Sequence, residues 1–490
     1  MYPLLEKVKE VRETGDYDRI PVWEEMFMDM LTPIQAVRIL KRVTRHCFLL
    51  ESAEQSQKWG RYTFIGYDPV LTVTCLDGTV KIKGETSFET DSESSKTVIR
   101  RLLAENRAPQ LKEMPPFSGG LVGYFAYDYI KYSEPVLNLD AEDEESFNDL
   151  DLMLFDKVIA FDHYQQKIFL IKNIRLEDAE TEYYKAEMEI DSLKRLLMAG
   201  VFAENQPLKL HSEFKPLFSE EEYCRMVERG KEYIWEGDIF QVVLSNRLEA
   251  EISGSLLDTY RVLRTTNPSP YMFYFSSDDI EIAGASPETL VKLEGNVVHT
   301  FPLAGTRRRG KTEAEDQALE QELLADEKER AEHNMLVDLG RNDVGRVSRF
   351  GSVEVEKYMC IERFSHVMHI GSVVRGEMSE DKDAMDAVDA ILPAGTLSGA
   401  PKIRACQIIN ELEGNKRGIY GGAIGYLDFA GNLDTCIAIR IAFAKNGKVY
   451  VRSGAGIVAD SVPEKEYQEC INKAKAVMEA LKMAEGGLEA

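Results

Sequence analysis

No run of about eighteen apolar residues occurs in the 490-residue chain, so the sequence holds no helical membrane span. Cysteine is scarce. The seven present (47, 75, 224, 360, 406, 436 and 470) are odd in number, scattered and without a C-x-x-C pair, which argues against a disulfide framework and for reduced thiols in a cytoplasmic setting. Basic charge is also in deficit. Against 84 Asp and Glu stand 59 Lys and Arg, and the net charge of −25 disfavours nucleic acid and anionic membranes. An anionic ligand therefore needs a local cluster of Arg and Lys. The opening MYPLLEKVKEVRE lacks the apolar core of a secretory signal and is too acidic for a transit peptide. What the chain has is length and a 44% hydrophobic content, enough for two or more cores.

Strand patterns fill much of both halves. GRYTFIGYDPVLTVTCLDGTVKIKG (60–84) alternates around Asp77-Gly78 and predicts a hairpin. An amphipathic helix is expected at 176–199, and the segment 200–215, with Gly200, Asn205 and Pro207, is the expected domain boundary. The second half restarts with Ser219 and Glu222, a capping-box spacing. An acidic helical region is expected over 313–339, a strand over 434–444 containing Arg440, and a final helix over 463–484. Adjacent strands with turn-length gaps, and helices in separate blocks, place the fold in the α+β class with antiparallel sheets.

Two Glu-x-x-Glu pairs, Glu329/Glu332 and Glu466/Glu469, lie in these helical stretches. Residues three apart share a helix face, so two facing pairs offer carboxylates to a hard cation such as Mg²⁺, although an acid-rich chain also produces such pairs on solvated faces. Residues 305–312, GTRRRGKT, match the phosphate-loop pattern of a nucleotide hydrolase. Glu313, Glu315 and Asp316 would crowd the following helix N-terminus with negative charge, Pro302 interrupts the preceding strand, and the surrounding order is antiparallel. The phosphate-loop reading is declined.

Several segments together carry a resemblance: FPLAGTRRRG (301–310), ERAEHNMLVDLGRNDVGRV (329–347), SHVMHI (365–370), PAGTLSGAPK (393–402), IYGGAIGYLD (419–428), IAIRIA (437–442) and VRSGAGIVADSVPEKEYQECINKAK (451–475). They resemble the chorismate-utilising enzymes, and within that family its anthranilate-forming branch. The resemblance implies antiparallel sheets packed as a sandwich with helices outside. It divides the chain into an N-terminal domain (1–205) that contributes to a regulatory site and a catalytic domain (215–485). It implies Mg²⁺ on Glu332 and Glu469, supported by Glu329 and Glu466. It makes His369 the general acid or base, suited by an imidazole titrating near neutrality, with Thr396 beside it. His366, three residues away on a strand, faces the other side. Arg440 and Tyr420 are implied to hold the enolpyruvyl carboxylate of chorismate, while Thr396, Gly454, Gly456 and Lys473 complete the substrate site.

Two positions select the product by the same resemblance. Relatives that add water carry a lysine where this chain has Gln241, and relatives that make aminodeoxychorismate carry one where it has Ala304. Direct attack by ammonia, giving anthranilate, is therefore expected, with aminodeoxychorismate as the alternative product. The chain has no cysteine in a nucleophile-elbow setting, so a separate glutamine amidotransferase subunit is expected to supply ammonia, in an assembly of two large and two small subunits. LLES (49–52) and NPSPYM (267–272) resemble the family's tryptophan feedback site, with Glu51 or Ser52 for the amino group and Pro270, Tyr271 and Met272 around the indole.

Overall fold

In the computed structural model, which describes residues 1–53, 60–84, 87–204, 206–364 and 367–488, the Asp77-Gly78 turn closes as its sequence requires. Both residues take positive φ, 46° and 88°, and join Leu71–Leu76 to Thr79–Lys83 in an antiparallel hairpin. Asn205 and His366 lie outside the described residues. Among the described residues the strands form two antiparallel sheets, one of thirteen strands and one of twelve. Each draws strands from both sides of the 200–215 segment. Cys47–Glu51 pairs with Tyr271–Ser276 in the larger sheet, and Gly120–Phe125 with Ala423–Asp428 in the smaller.

The sheets face each other across an aromatic core that includes Phe48, Phe117, Phe155, Phe273, Ile424 and Tyr450. Phe48 meets Phe155 edge-on at 4.9 Å between ring centroids. Helices cover the outer faces. Ser95–Ala104 and Ala384–Ile391 pack on the smaller sheet, and Pro33–Leu40, Ala179–Ala199 and Pro463–Ala484 on the larger. The α+β class and sandwich architecture are as expected. The capping box at Ser219 forms in full: its hydroxyl accepts from the Glu222 N–H at 3.3 Å, and the Glu222 carboxylate accepts from the Ser219 N–H at 2.8 Å.

One sequence expectation is refined and one corrected. The acidic helical region 313–339 is present and consists of two helices, Glu313–Ala325 and Glu327–Gly345. Asp326 divides them because its carboxylate accepts from the N–H groups of Lys328 and Glu329, at 3.0 and 3.2 Å, and so starts a new helix. Arg440 is not inside a strand. Leu433–Ile437 belongs to the smaller sheet and Ile441–Lys445 to the larger, and Arg440 lies in the crossover between them at φ 53°. The apolar run around it reflects burial on both sheets rather than one continuous ladder.

The phosphate-loop look-alike begins in an edge strand of the smaller sheet, Leu303–Arg308. The amides that would cradle phosphate already serve the chain's own carboxylates. Gly310 N–H donates to Asp316 at 2.7 Å and Lys311 N–H to Glu315 at 2.8 Å.

Candidate active site

Helices Glu327–Gly345 and Pro463–Ala484 bring the two Glu-x-x-Glu pairs to one cavity of about 610 Å³. All the residues expected from sequence to serve catalysis, substrate, metal and product choice line it: Gln241, Ala304, Glu329, Glu332, His369, Thr396, Tyr420, Arg440, Gly454, Gly456, Glu466, Glu469 and Lys473. Strand Lys448–Ile457 supplies the two glycines. A Cβ on Gly454 would stand 2.6 Å from the Leu244 carbonyl oxygen, and one on Gly456 would stand 2.5 Å from the Gln241 amide nitrogen. The cavity wall here is backbone because no side chain fits.

The four glutamates repel one another in pairs. Burial raises the Glu332 carboxyl pKa, a hydrogen bond from Gln241 opposes this, and the Glu329 charge adds to it. Burial likewise raises Glu466, with Ser461 opposing and the Glu469 charge adding. Partial counter-charges are present. Lys473 pairs with Glu469 at 2.7 Å and donates to the Gly454 carbonyl at 3.0 Å, while Arg307 stands 3.4 Å from Glu329. Among the described residues no three carboxylate, histidine or cysteine groups converge as a ready-made cation cage. The donor set facing the cavity is nonetheless all carboxylate oxygen, the chemistry of a hard divalent cation.

Arg440 is half-buried in the crossover; its carbonyl accepts from the Ala285 N–H at 3.2 Å, while its guanidinium has no hydrogen-bond or ion-pair partner among the described residues. Burial pulls its pKa down and the Glu288 charge opposes. A desolvated guanidinium open to a cavity is a strong binding group for a carboxylate. Tyr420, 3% exposed, lines the same cavity, with the Arg417 guanidinium 5.9 Å from its ring centroid. Gln241 donates its amide to Glu332 at 3.1 Å, and its amide oxygen is buried without a partner.

His369 departs from the expectation of a group titrating near neutrality. Burial lowers its pKa to about 4, a hydrogen bond with the Gly305 carbonyl opposes this, and Arg440 and Lys473 add to it. The imidazole is neutral at physiological pH.

Glu288 is a cavity residue that the sequence reading missed. It lies between strands Ile280–Ser286 and Thr289–Glu294, accepts from the Thr396 hydroxyl at 3.1 Å, and is pushed up to about 8 by burial, which outweighs Thr396 and Arg440. Only Ser286-Pro287-Glu288, a proline-broken strand end, marked it in sequence. A buried cluster beneath the cavity was also missed. Glu413 accepts from Arg417 at 2.6 Å and from Arg452 at 2.7 Å, and Arg417 donates to the carbonyls of Leu397 and Val243.

A second cavity, of about 420 Å³, lies between the sheets and is lined by Glu51, Ser52, Pro270, Tyr271 and Met272. Glu51 is already engaged by Arg264 and Tyr260. The Tyr271 hydroxyl donates to Asp434 at 2.8 Å and accepts from Thr289 at 3.0 Å.

Comparison with known proteins agrees with this geometry. The chorismate binding enzyme family matches residues 45–479. The chain is 47% identical to anthranilate synthase component 1 of Acetivibrio thermocellus and 46% identical to that of Aquifex aeolicus (strain VF5), in each case over 99% of both chains. The crystal structure of anthranilate synthase component I from Streptococcus pneumoniae TIGR4 superposes with a TM-score of 0.75 at 38% identity, covering 93% of this chain and 99% of that one. With a match across most of its length and relatives of such identity, the chain belongs to the chorismate binding enzyme family.

Proposed function

We propose that this chain is the large subunit of an anthranilate synthase. It aminates chorismate with ammonia from a glutamine amidotransferase subunit, then eliminates pyruvate to leave anthranilate. The observation that carries the reading is the pair Gln241 and Ala304. Neither offers a base for water or an amine for a covalent adduct. The relatives' names support the same product.

Arg440 and Tyr420 bind the enolpyruvyl carboxylate, and Lys473, Thr396 and the Gly454 and Gly456 backbone complete the anion site. Glu288 stays protonated at neutral pH and hands its proton to the ring hydroxyl as it leaves. Neutral His369 accepts the ring proton in the elimination. Mg²⁺, held by Glu332 and Glu469 with Glu329 and Glu466 in support, would neutralise the ring carboxylate and act as a Lewis acid. The carboxylate pairs fit it, because each pair is held against mutual repulsion.

Ammonia must come from elsewhere. Cys47, Cys75, Cys406, Cys436 and Cys470 are buried, and no cysteine sits in a nucleophile elbow. A cytoplasmic assembly of two large and two small subunits fits this division of labour. The second cavity takes tryptophan as feedback inhibitor, with Pro270, Tyr271 and Met272 walling the indole and Ser52 near its amino group. Tyr271 ties that cavity to Thr289, the residue after Glu288.

Product analysis tests the reading. Chorismate, ammonium and Mg²⁺ should give blue-fluorescent anthranilate of the right mass, and EDTA should abolish it. Aminodeoxychorismate as the product, or no turnover by folded protein, refutes it.

A further inference from the structure

The look-alike segment 305–312 has no place in the proposed chemistry, yet it abuts the site. Strand Leu303–Arg308 pairs with Val367–Glu377, and its register slips between Ala304, opposite Ile370, and Thr306, opposite His369. Gly305 is the extra residue of this β-bulge and takes φ 67°. The bulge turns the Gly305 carbonyl onto His369, 2.8 Å from Nδ1, and the Thr306 hydroxyl lies 3.1 Å from the same nitrogen. A carbonyl oxygen can only accept, so Nδ1 carries the proton and Nε2 keeps its lone pair. Nε2 has no protein partner among the described residues, and His369 lines the cavity.

We propose that the Gly305 bulge is the positioning element for His369: its carbonyl, assisted by the Thr306 hydroxyl, selects the Nδ1–H tautomer and presents Nε2 to the cavity as the proton acceptor. The inference rests on the proposed elimination. In that step Nε2 takes the ring proton and the C–H electron pair becomes a ring double bond. As that double bond forms, the ring carbon–oxygen bond to the enolpyruvyl group breaks with its electrons on oxygen, and the imidazolium returns a proton to the departing enolate. The opposite tautomer would direct an N–H at the ring and could not begin this step. Glycine is required at the bulge. A Cβ on Gly305 would lie 3.0 Å from both the Glu329 carboxylate and Leu323, on a backbone that side chains rarely adopt.

The test uses the full chain labelled with ¹⁵N-histidine, the His369 signals being assigned by their loss in His369→Gln. Unaltered protein should show a protonated Nδ1 and an unprotonated Nε2. In Gly305→Ala the tautomers should mix and elimination should slow at least about tenfold. The aminated intermediate should then appear as product, with KM for chorismate within about twofold of normal. Thr306→Val should act in the same direction but more weakly, and Thr306→Ser should restore the rate. A protonated Nε2 in unaltered protein overturns the proposal, as do folded Gly305→Ala and Thr306→Val variants with normal elimination. If Gly305→Ala fails to fold, the tautomer of unaltered protein and the Thr306 pair decide. Protein with the expected tautomer that makes no anthranilate refutes the reaction and leaves the positioning intact.

Discussion

Glu288→Gln should stabilise the fold while it disables the enzyme. Burial lifts the Glu288 pKa from its ordinary 4.5 to about 8. The folded protein therefore holds a proton that the unfolded chain has released throughout that window. Stability falls as pH rises from 4.5 to 8 and levels off above, because the unfolded state binds fewer protons there. At about 1.36 kcal/mol per pH unit the full penalty for the ionised group is roughly 5 kcal/mol. Glutamine copies the shape of the protonated acid and does not titrate. The variant should match the unaltered protein near pH 5 and exceed it by about 3–4 kcal/mol near pH 8. Chemical denaturation at both pH values measures the gap. In the same samples anthranilate formation should drop by about 10²–10⁴-fold, the contribution of a positioned acid that an amide cannot supply. Parallel stability profiles would show that Glu288 ionises normally, and unchanged turnover would remove it from catalysis.

Arg440→Met should raise KM for chorismate about 10- to 150-fold, the equivalent of a lost charged hydrogen bond of roughly 1.5–3 kcal/mol. Steady-state kinetics check it, and an unchanged KM would place the enolpyruvyl carboxylate elsewhere. Glu332→Gln should raise the Mg²⁺ concentration for half-maximal activity at least about tenfold. It should also leave the metal-free fold no less stable, since the change relieves repulsion from Glu329; thermal melts with and without Mg²⁺ test both parts. Tyr271→Phe keeps the aromatic wall of the second cavity but removes the hydroxyl between Thr289 and Asp434. Tryptophan affinity by calorimetry should stay within about threefold, while inhibition weakens by more than that. Equal losses in both would deny the hydroxyl a coupling role.

Local features were legible wherever a few neighbouring residues suffice. Asp77-Gly78 needs only its own positive φ values, the Ser219 box closes within four residues, and the three-residue spacing of each glutamate pair is set by one helix turn. The segment motifs likewise pointed to one family and to one set of cavity residues. Asp326 escaped notice because helix periodicity runs through it, and only its side-chain cap breaks the run. Arg440 looked like a strand residue because its neighbours are apolar on both sides. The crossover, with Arg440 at φ 53°, depends on two different sheets claiming those neighbours.

By itself the sequence determined the α+β class, the helices that carry the glutamates and, through its segment motifs, the family; that neither Ala304 nor Gln241 offers an amine is written there too. Tertiary structure alone decided the pKa shifts of the two groups proposed to move protons. Glu288 near pKa 8 and His369 near 4 are results of burial and of partners far away in the chain, Thr396 for the one and the Gly305 carbonyl for the other. Desolvation is a property of the packed cavity, and no spacing along the chain encodes it.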